Sequence, residues 1–125
     1  MTIDTLFEKL GGADVVAGMV AEMYENVLRD PELAPFFKNV DMQRLGRMQF
    51  EFLASALGGP VQYSGAELQA IHAGLGVTPH HFSKFVGHMA SAMESRNIDP
   101  KLVDEMLGQI AMYRDRIVGS ANVDG

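Results

Sequence analysis

LGGPVQYSGAELQAIHAGLGVTPHHF, residues 57–82, places one histidine, His72, on a short apolar segment bounded by glycines. Ser64, with Glu67 three residues later, forms a capping-box pattern that starts a helix, and the glycines after His72 end that helix about two turns later. A helix this short is not stable by itself. The pattern therefore indicates that the helix serves to position His72.

Three apolar residues, Leu68, Ile71 and Leu75, flank His72 at helical spacing. The imidazole is expected to emerge from an apolar surface and to meet an equally apolar partner. This is how a protein presents one histidine to a flat prosthetic group. The alternative is a core histidine that is hydrogen-bonded to a neighbour, and this stretch by itself does not decide between the two.

Length and composition limit the class of protein. A chain of 125 residues suits one domain and can bury a substantial core. The absence of cysteine from the sequence excludes disulfides, thiol catalysis and sites that need cysteine ligands, such as iron–sulfur clusters. The formal net charge of −6 argues against nucleic acid as a partner, because phosphate contacts require clustered lysine and arginine.

The sequence predicts neither a membrane span nor an export signal. No stretch approaches the ~20 apolar residues that a membrane span needs. Asp4 and Glu8 interrupt the place where a signal peptide would have its apolar run, so we expect a cytoplasmic protein. No linker or repeat divides the chain. We expect one domain over residues 1–125, with a helical core at about 4–118 and a frayed tail at 119–125.

Helix boundaries along the chain predict an all-α fold. Four positions are typical of a helix start. One is Asp41, a candidate N-cap, and in the other three an N-cap residue is followed by proline: Asp30-Pro31, Thr78-Pro79 and Asp99-Pro100. No strand-like alternation persists. The spacing of apolar residues predicts helices at 4–10, 13–29, 41–57, 64–74, 79–95 and 100–118, with a short one after residue 31.

Two polar residues, Tyr24 and Gln49, lie on helix faces that are otherwise apolar. Their apolar neighbours are Val16, Val20, Met23, Val27 and Leu28 on one face, and Leu45, Met48, Phe52, Leu53 and Ala56 on the other. A buried phenol or amide without a partner costs about 1–3 kcal/mol. The two side chains either bond to each other or to a backbone carbonyl, or they converge on a small polar ligand in an apolar cavity. Phe36 and Phe37 could wall such a cavity.

These motifs, in this order, resemble the truncated haemoglobins, and within that family group 1, the small two-over-two helical globins. The resemblance covers about residues 6–118, and the lack of tryptophan fits group 1. It implies a two-over-two helical sandwich that encloses haem. The segments that carry it are LFEKLGG (6–12), MYENVL (23–28), FF (36–37), RLGRMQFEFLASALGGP (44–60) and YSGAELQAIHAGLGVTPHHF (63–82).

The resemblance implies that His72 is the proximal ligand of the haem iron, with the carbonyl of Leu68 accepting a hydrogen bond from its other ring nitrogen. Tyr24 and Gln49 match the distal residues that donate hydrogen bonds to bound O2. The other residues expected to contact the haem are Phe37, Leu45, Met48, Phe52, Tyr63, Leu68, Ile71, Val77, Phe82, Val86 and Ile110. Met48 as an iron ligand is an alternative.

Several polar residues near these positions have two interpretations. Arg44, Arg47 and Tyr63 are expected either to face the haem propionates or to be only solvated. His80 and His81 are adjacent on a helix and point about 100° apart, so they do not form a metal-binding pair. His88 is expected to be packed or solvated.

The implied cofactor is one haem b per chain, held noncovalently because no histidine lies near the last helix to bond a vinyl group. We expect reversible binding of O2, NO and CO at five-coordinate ferrous iron. The enzymatic alternative is NO dioxygenation to nitrate with an external reductase. Gas storage or sensing without turnover is another alternative, although this sequence shows no output domain for a sensor. A haem-free helical interaction domain is the alternative from a different class, and the oligomeric state is left open.

Overall fold

The computed structural model of the chain describes residues 5–59, 72 and 75–118. In these ranges the chain forms helices and turns and no strand, which confirms the predicted all-α fold. The predicted helix at 64–74, apart from His72, and the predicted frayed tail at 119–125 lie outside the described residues. The helices are α1 (Leu6–Leu10), α2 (Ala13–Leu28), a 3₁₀ helix (Ala34–Phe37), α3 (Met42–Ala56), α4 (Pro79–Ser95), α5 (Pro100–Ala111) and α6 (Arg114–Ile117).

Side-chain caps fix where the main helices begin. Asp41, Thr78 and Asp99 each accept a hydrogen bond from a backbone N–H group in the first turn of the helix that follows, which confirms the predicted starts of α3, α4 and α5. The first helix is capped in the same way by Thr5. This helix begins at Leu6 and not at the predicted residue 4, because Thr5 is its N-cap and Thr5 Oγ1 accepts from the N–H of Glu8, the third residue of α1.

The segment after Asp30-Pro31 does not form the predicted helix directly. The chain first makes a turn, and the 3₁₀ helix begins only at Ala34. Pro35 has no N–H group to bond to the carbonyl four residues earlier, so an α-helix cannot propagate through this segment. The chain tightens instead to bonds between residues three apart, such as that from the N–H of Phe36 to the carbonyl of Leu33 at 3.0 Å.

The last predicted helix, at 100–118, is interrupted. α5 ends at Ala111, where the N–H groups of Met112 and Tyr113 bond to carbonyls three residues back, at 3.2 and 3.0 Å. The Tyr113 ring then packs edge-on against the Phe52 ring, with centroids 4.9 Å apart. This bend separates α5 from the short helix α6 and brings Tyr113 into contact with α3.

The core lies along α2, which packs against both α3 and α4, while α5 packs against α4 and α1. Leu28, predicted for the apolar face of α2, is 44% exposed because it is the last residue of that helix. None of the helices in the described ranges has the length and hydropathy to cross a bilayer. The largest fully buried side chains are Met19, Met23, Leu53, Met89, Met93, Met106, Val16, Val27 and Val118.

Leu53→Ala should lower the free energy of unfolding by about 2–5 kcal/mol, because Leu53 is fully buried on α3 and its truncation leaves a cavity. Leu28→Ala is the matched control. Its side chain is exposed, so the same truncation should change the free energy of unfolding by less than about 1 kcal/mol. Urea denaturation followed by circular dichroism measures both values, and equal losses would contradict the placement of Leu53 in the core.

Candidate functional site

Tyr24 and Gln49 meet in the interior between α2 and α3. The Tyr24 hydroxyl donates a hydrogen bond to Oε1 of Gln49 at 3.4 Å. Tyr24 is 7% exposed and Gln49 is half-buried. The two helices pack through their apolar faces, and each face contributes one polar group to the same place. The prediction that both side chains point inward is confirmed, and so is the alternative that they bond to each other.

The hydrogen bond between Tyr24 and Gln49 is long. A bond from a hydroxyl to an oxygen is usually about 2.7–2.8 Å between the two oxygens. Among the residues that the structure describes, neither the phenol nor the carboxamide makes a second hydrogen bond. The amide NH2 group of Gln49 therefore keeps its donors for a third, small polar partner, and the one proton of the Tyr24 hydroxyl is held only by a long bond that such a partner could replace.

Aromatic rings hold the Tyr24 phenol from two sides. The Phe37 ring, on the 3₁₀ helix, packs edge-on against it at a centroid distance of 5.7 Å, and the Phe85 ring, on α4, does so at 5.9 Å. Burial among these groups raises the pKa of the Tyr24 phenol above its usual range, because the phenolate would lose its hydration. The hydroxyl is therefore protonated, and a hydrogen-bond donor, throughout the physiological pH range.

Phe85 is a site residue that the sequence analysis missed. It lies three residues after Phe82, so it shares a helical face with a residue that was selected. This spacing was the available indication. Phe36, in contrast, does not wall the space around Tyr24 as expected, because its ring packs edge-on against His81 at 4.9 Å.

His72 has helical backbone conformation and is half-buried. Its carbonyl accepts a hydrogen bond from the N–H of Leu75 at 3.2 Å, which closes a turn on its C-terminal side. Leu75, predicted to flank the imidazole, is 50% exposed. The other two predicted flanking residues, Leu68 and Ile71, lie outside the described residues.

The other residues selected from the sequence differ in burial. Phe52, Phe82 and Ile110 are buried in the core. Phe37, Leu45, Val77 and Val86 are partly buried and pack against that core, and Met48 is half-buried. Arg44 and Arg47 are exposed and make no ion pair among the described residues. Tyr63 lies outside the part of the chain that the structure describes.

The described residues fit the haem that the resemblance implies. The half-buried imidazole of His72 could supply a nitrogen ligand for iron, and partly buried aliphatic and aromatic side chains would suit a flat apolar macrocycle. The long bond between Tyr24 and Gln49 leaves two interior polar groups that a small ligand could satisfy.

Comparisons of the sequence agree with this description. A family model described as bacterial-like globin matches residues 5–118. A group 1 truncated haemoglobin of Mycolicibacterium paratuberculosis is 39% identical over 107 residues, which cover 86% of this chain and 79% of that protein. The region that the family model matches includes all the described residues, from Thr5 to Val118.

Solved structures have the same helical arrangement. The truncated haemoglobin from Tetrahymena pyriformis in its Fe(III) form superposes with a TM-score of 0.87 at 30% identity, covering 92% of this chain and 98% of that one. A 2/2 haemoglobin from a Synechococcus species, in the cyanomet state and with covalently attached haem, gives a TM-score of 0.86 at 29% identity, with coverage of 93% and 99%.

These matches confirm the predicted two-over-two helical fold, which the arrangement of α2, α3, α4 and α5 shares with these structures. The covered shares of this chain and of each relative show that the likeness extends over most of both chains. The chain therefore belongs to the bacterial-like globin family, within the group 1 truncated haemoglobins, and this membership implies a haem cofactor and haem-based binding of diatomic gases.

Proposed function

We propose that this truncated haemoglobin binds O2 reversibly, and also NO and CO, at one noncovalent haem b whose five-coordinate ferrous iron is held by His72. The proposal rests on buried Tyr24 and half-buried Gln49, whose one hydrogen bond is long and leaves the amide NH2 group of Gln49 available to a third partner. When bound, the haem supplies a ferrous iron that binds diatomic gases.

The neutral imidazole of His72 is the proposed iron ligand. The proposed contacts to the porphyrin are almost all apolar, as a macrocycle of this kind requires. They are Phe37, Leu45, Met48, Phe52, Tyr63, Leu68, Ile71, Val77, Phe82 and Val86. Noncovalent attachment is supported by the sequence of α5 and α6, which contains no histidine that could bond a vinyl group.

Two broader parts of the proposal rest on the sequence. We propose one globin domain over residues 1–125, which the family match over residues 5–118 supports. We also propose a cytoplasmic location, which the cysteine-free composition supports.

The role of Tyr24 follows from its protonation and its position. Its buried hydroxyl donates a hydrogen bond to a gas ligand that carries partial negative charge. A hydrogen bond to a charged acceptor contributes roughly 1.5–3 kcal/mol. For this the hydroxyl turns its one proton from Oε1 of Gln49 to the ligand, and the amide NH2 group of Gln49 provides a second donor. Together these residues slow the escape of O2.

Tyr24→Phe should accelerate O2 dissociation about tenfold or more, because it removes the donor and leaves the ring in place. Stopped-flow displacement of O2 by CO measures this rate. Tyr113→Phe is the matched control, since the Tyr113 ring also packs against a phenylalanine, Phe52, whereas the hydroxyl that donates to Gln49 is that of Tyr24. An unchanged rate in Tyr24→Phe would remove this residue from its proposed role.

Retention of O2 by two donors in the interior, Tyr24 and Gln49, favours NO dioxygenation over bulk delivery of O2. In this reaction one NO and one O2 combine with one electron to give one nitrate ion. The electron must come from an external reductase, which is the partner that an enzymatic role requires. Gas storage or sensing without turnover is the competing function.

Mixing the oxygenated protein with an equimolar amount of NO separates these functions. If the protein is an NO dioxygenase, chromatography of the product should give about one nitrate per haem, because the reaction consumes one O2 and one NO per site. The CO-saturated protein is the control, because it carries no O2. Failure to form nitrate above that control would contradict the enzymatic function and leave storage or sensing.

A further inference from the structure

A cluster of charged groups joins the end of α2 to α4. The carboxylate of Asp30 is 5% exposed and accepts a hydrogen bond from Lys84 Nζ at 2.8 Å. Its second oxygen lies 2.8 Å from Nε2 of His88, and the backbone N–H of Glu32 donates to the first at 2.9 Å. Asp30, Lys84 and His88 are called here the Asp30 cluster. Lys84 and His88 lie four residues apart on α4, so both face Asp30 from one side of that helix.

The buried carboxylate is charged. Hydrogen bonds from Lys84 and then from His88 hold the pKa of Asp30 well below its usual range. A buried carboxylate is tolerated only when it is paired and hydrogen-bonded. The end of α2 therefore cannot move away from α4 without leaving a charge unpaired, and this constrains the spacing of the two helices.

The outer part of the network is much more exposed. Glu32 accepts from Lys84 Nζ at 2.7 Å and pairs with Nε2 of His80 at 2.9 Å, where the side chains of Glu32 and His80 are 49% and 62% exposed. Ion pairs between such exposed side chains contribute little to stability, because water and salt screen them. The constraint on the helices therefore comes from Asp30 and not from Glu32.

The same two helices position Tyr24. Tyr24 lies six residues before Asp30, which is about 9 Å along an α-helix. Its ring packs against Phe85 at a centroid distance of 5.9 Å, and Phe85 directly follows Lys84 on α4. The spacing of α2 and α4 that the Asp30 cluster sets is thus also the spacing that holds the phenol beside Gln49.

We propose that the Asp30 cluster positions the Tyr24 hydroxyl for its hydrogen bond to a gas ligand. The inference rests on the proposed function, since it concerns how Tyr24 acts as the donor. Asp30, Lys84 and His88 are positioning residues, because they act through the placement of α2 on α4, and their hydrogen bonds among the described residues join them to one another and to Glu32, not to Tyr24.

Asp30→Asn tests the inference, because it removes the charge and keeps an oxygen that can accept from the N–H of Glu32. Glu22→Gln is the matched control. Glu22 also lies on α2. Its carboxylate accepts a hydrogen bond from Ser95 Oγ at the end of α4 and lies 3.6 Å from Nε of Arg96, and its side chain is 30% exposed. The two variants remove the same charge from two different contacts of α2 with α4 and the residue after it.

The position of the hydroxyl is read from the C–O stretching frequency of the CO complex, which responds to a hydrogen-bond donor beside the ligand. We expect Asp30→Asn to shift this frequency toward the value of Tyr24→Phe. It should also accelerate O2 dissociation about two- to thirty-fold, the range typical of residues that act through a coupled network. Glu22→Gln should change neither quantity.

Lys84→Gln is a second variant in case Asp30→Asn does not fold, and it should shift both quantities in the same direction. Unchanged frequency and rate in the folded variants would overturn the inference. Equal changes in Glu22→Gln would also overturn it, since they would indicate a general loosening of α2 on α4.

If Tyr24→Phe has an effect and Asp30→Asn has none, only the Asp30 cluster loses its role. If Tyr24→Phe itself has none, the donor role of Tyr24 fails and the inference fails with it.

Discussion

A phenol and a carboxamide lie 3.4 Å apart between two helices that otherwise pack through apolar side chains, and the site depends on this contact. Burying such groups is unfavourable unless they are well hydrogen-bonded, and one long bond compensates only in part. A small ligand that accepts hydrogen bonds would complete the arrangement. Such a ligand would explain why each of two apolar helix faces carries one polar residue, Tyr24 or Gln49. A diatomic gas bound by a globin is a ligand of this kind.

Helix α2 connects this contact to the rest of the structure. Its apolar face packs against α3 and α4, and the rings of Phe37 and Phe85 hold the phenol of Tyr24 from the 3₁₀ helix and from α4. At its end, Asp30 ties the helix to α4 through a buried charge. Methionines such as Met23 fill the interior beside these contacts, and their flexible side chains adapt to an irregular core.

Local features of the sequence were enough to predict most of the helix starts, because an N-cap acts on the backbone within its own turn. The inward direction of Tyr24 and Gln49 was predictable from helical periodicity alone. The sequence suggested Asp30 only as a helix cap, because its ion-pair partners follow it by 54 and 58 residues and become neighbours only when α2 packs on α4. The cap pattern at Asp30-Pro31 predicted a helix that starts at once. The structure has a 3₁₀ helix that starts later, because Pro35 has no N–H group to bond within an α-helix.

Titration of the purified protein with haem, followed by reduction and an absorption spectrum, tests whether His72 holds a haem iron. We expect a Soret band that saturates at one haem per chain and a five-coordinate ferrous spectrum in the absence of gas. His72→Ala should lose that spectrum, whereas His80→Ala, whose side chain is 62% exposed and pairs with Glu32, should keep it. A protein that stays colourless, or a His72→Ala variant with an unchanged ferrous spectrum, would contradict the account.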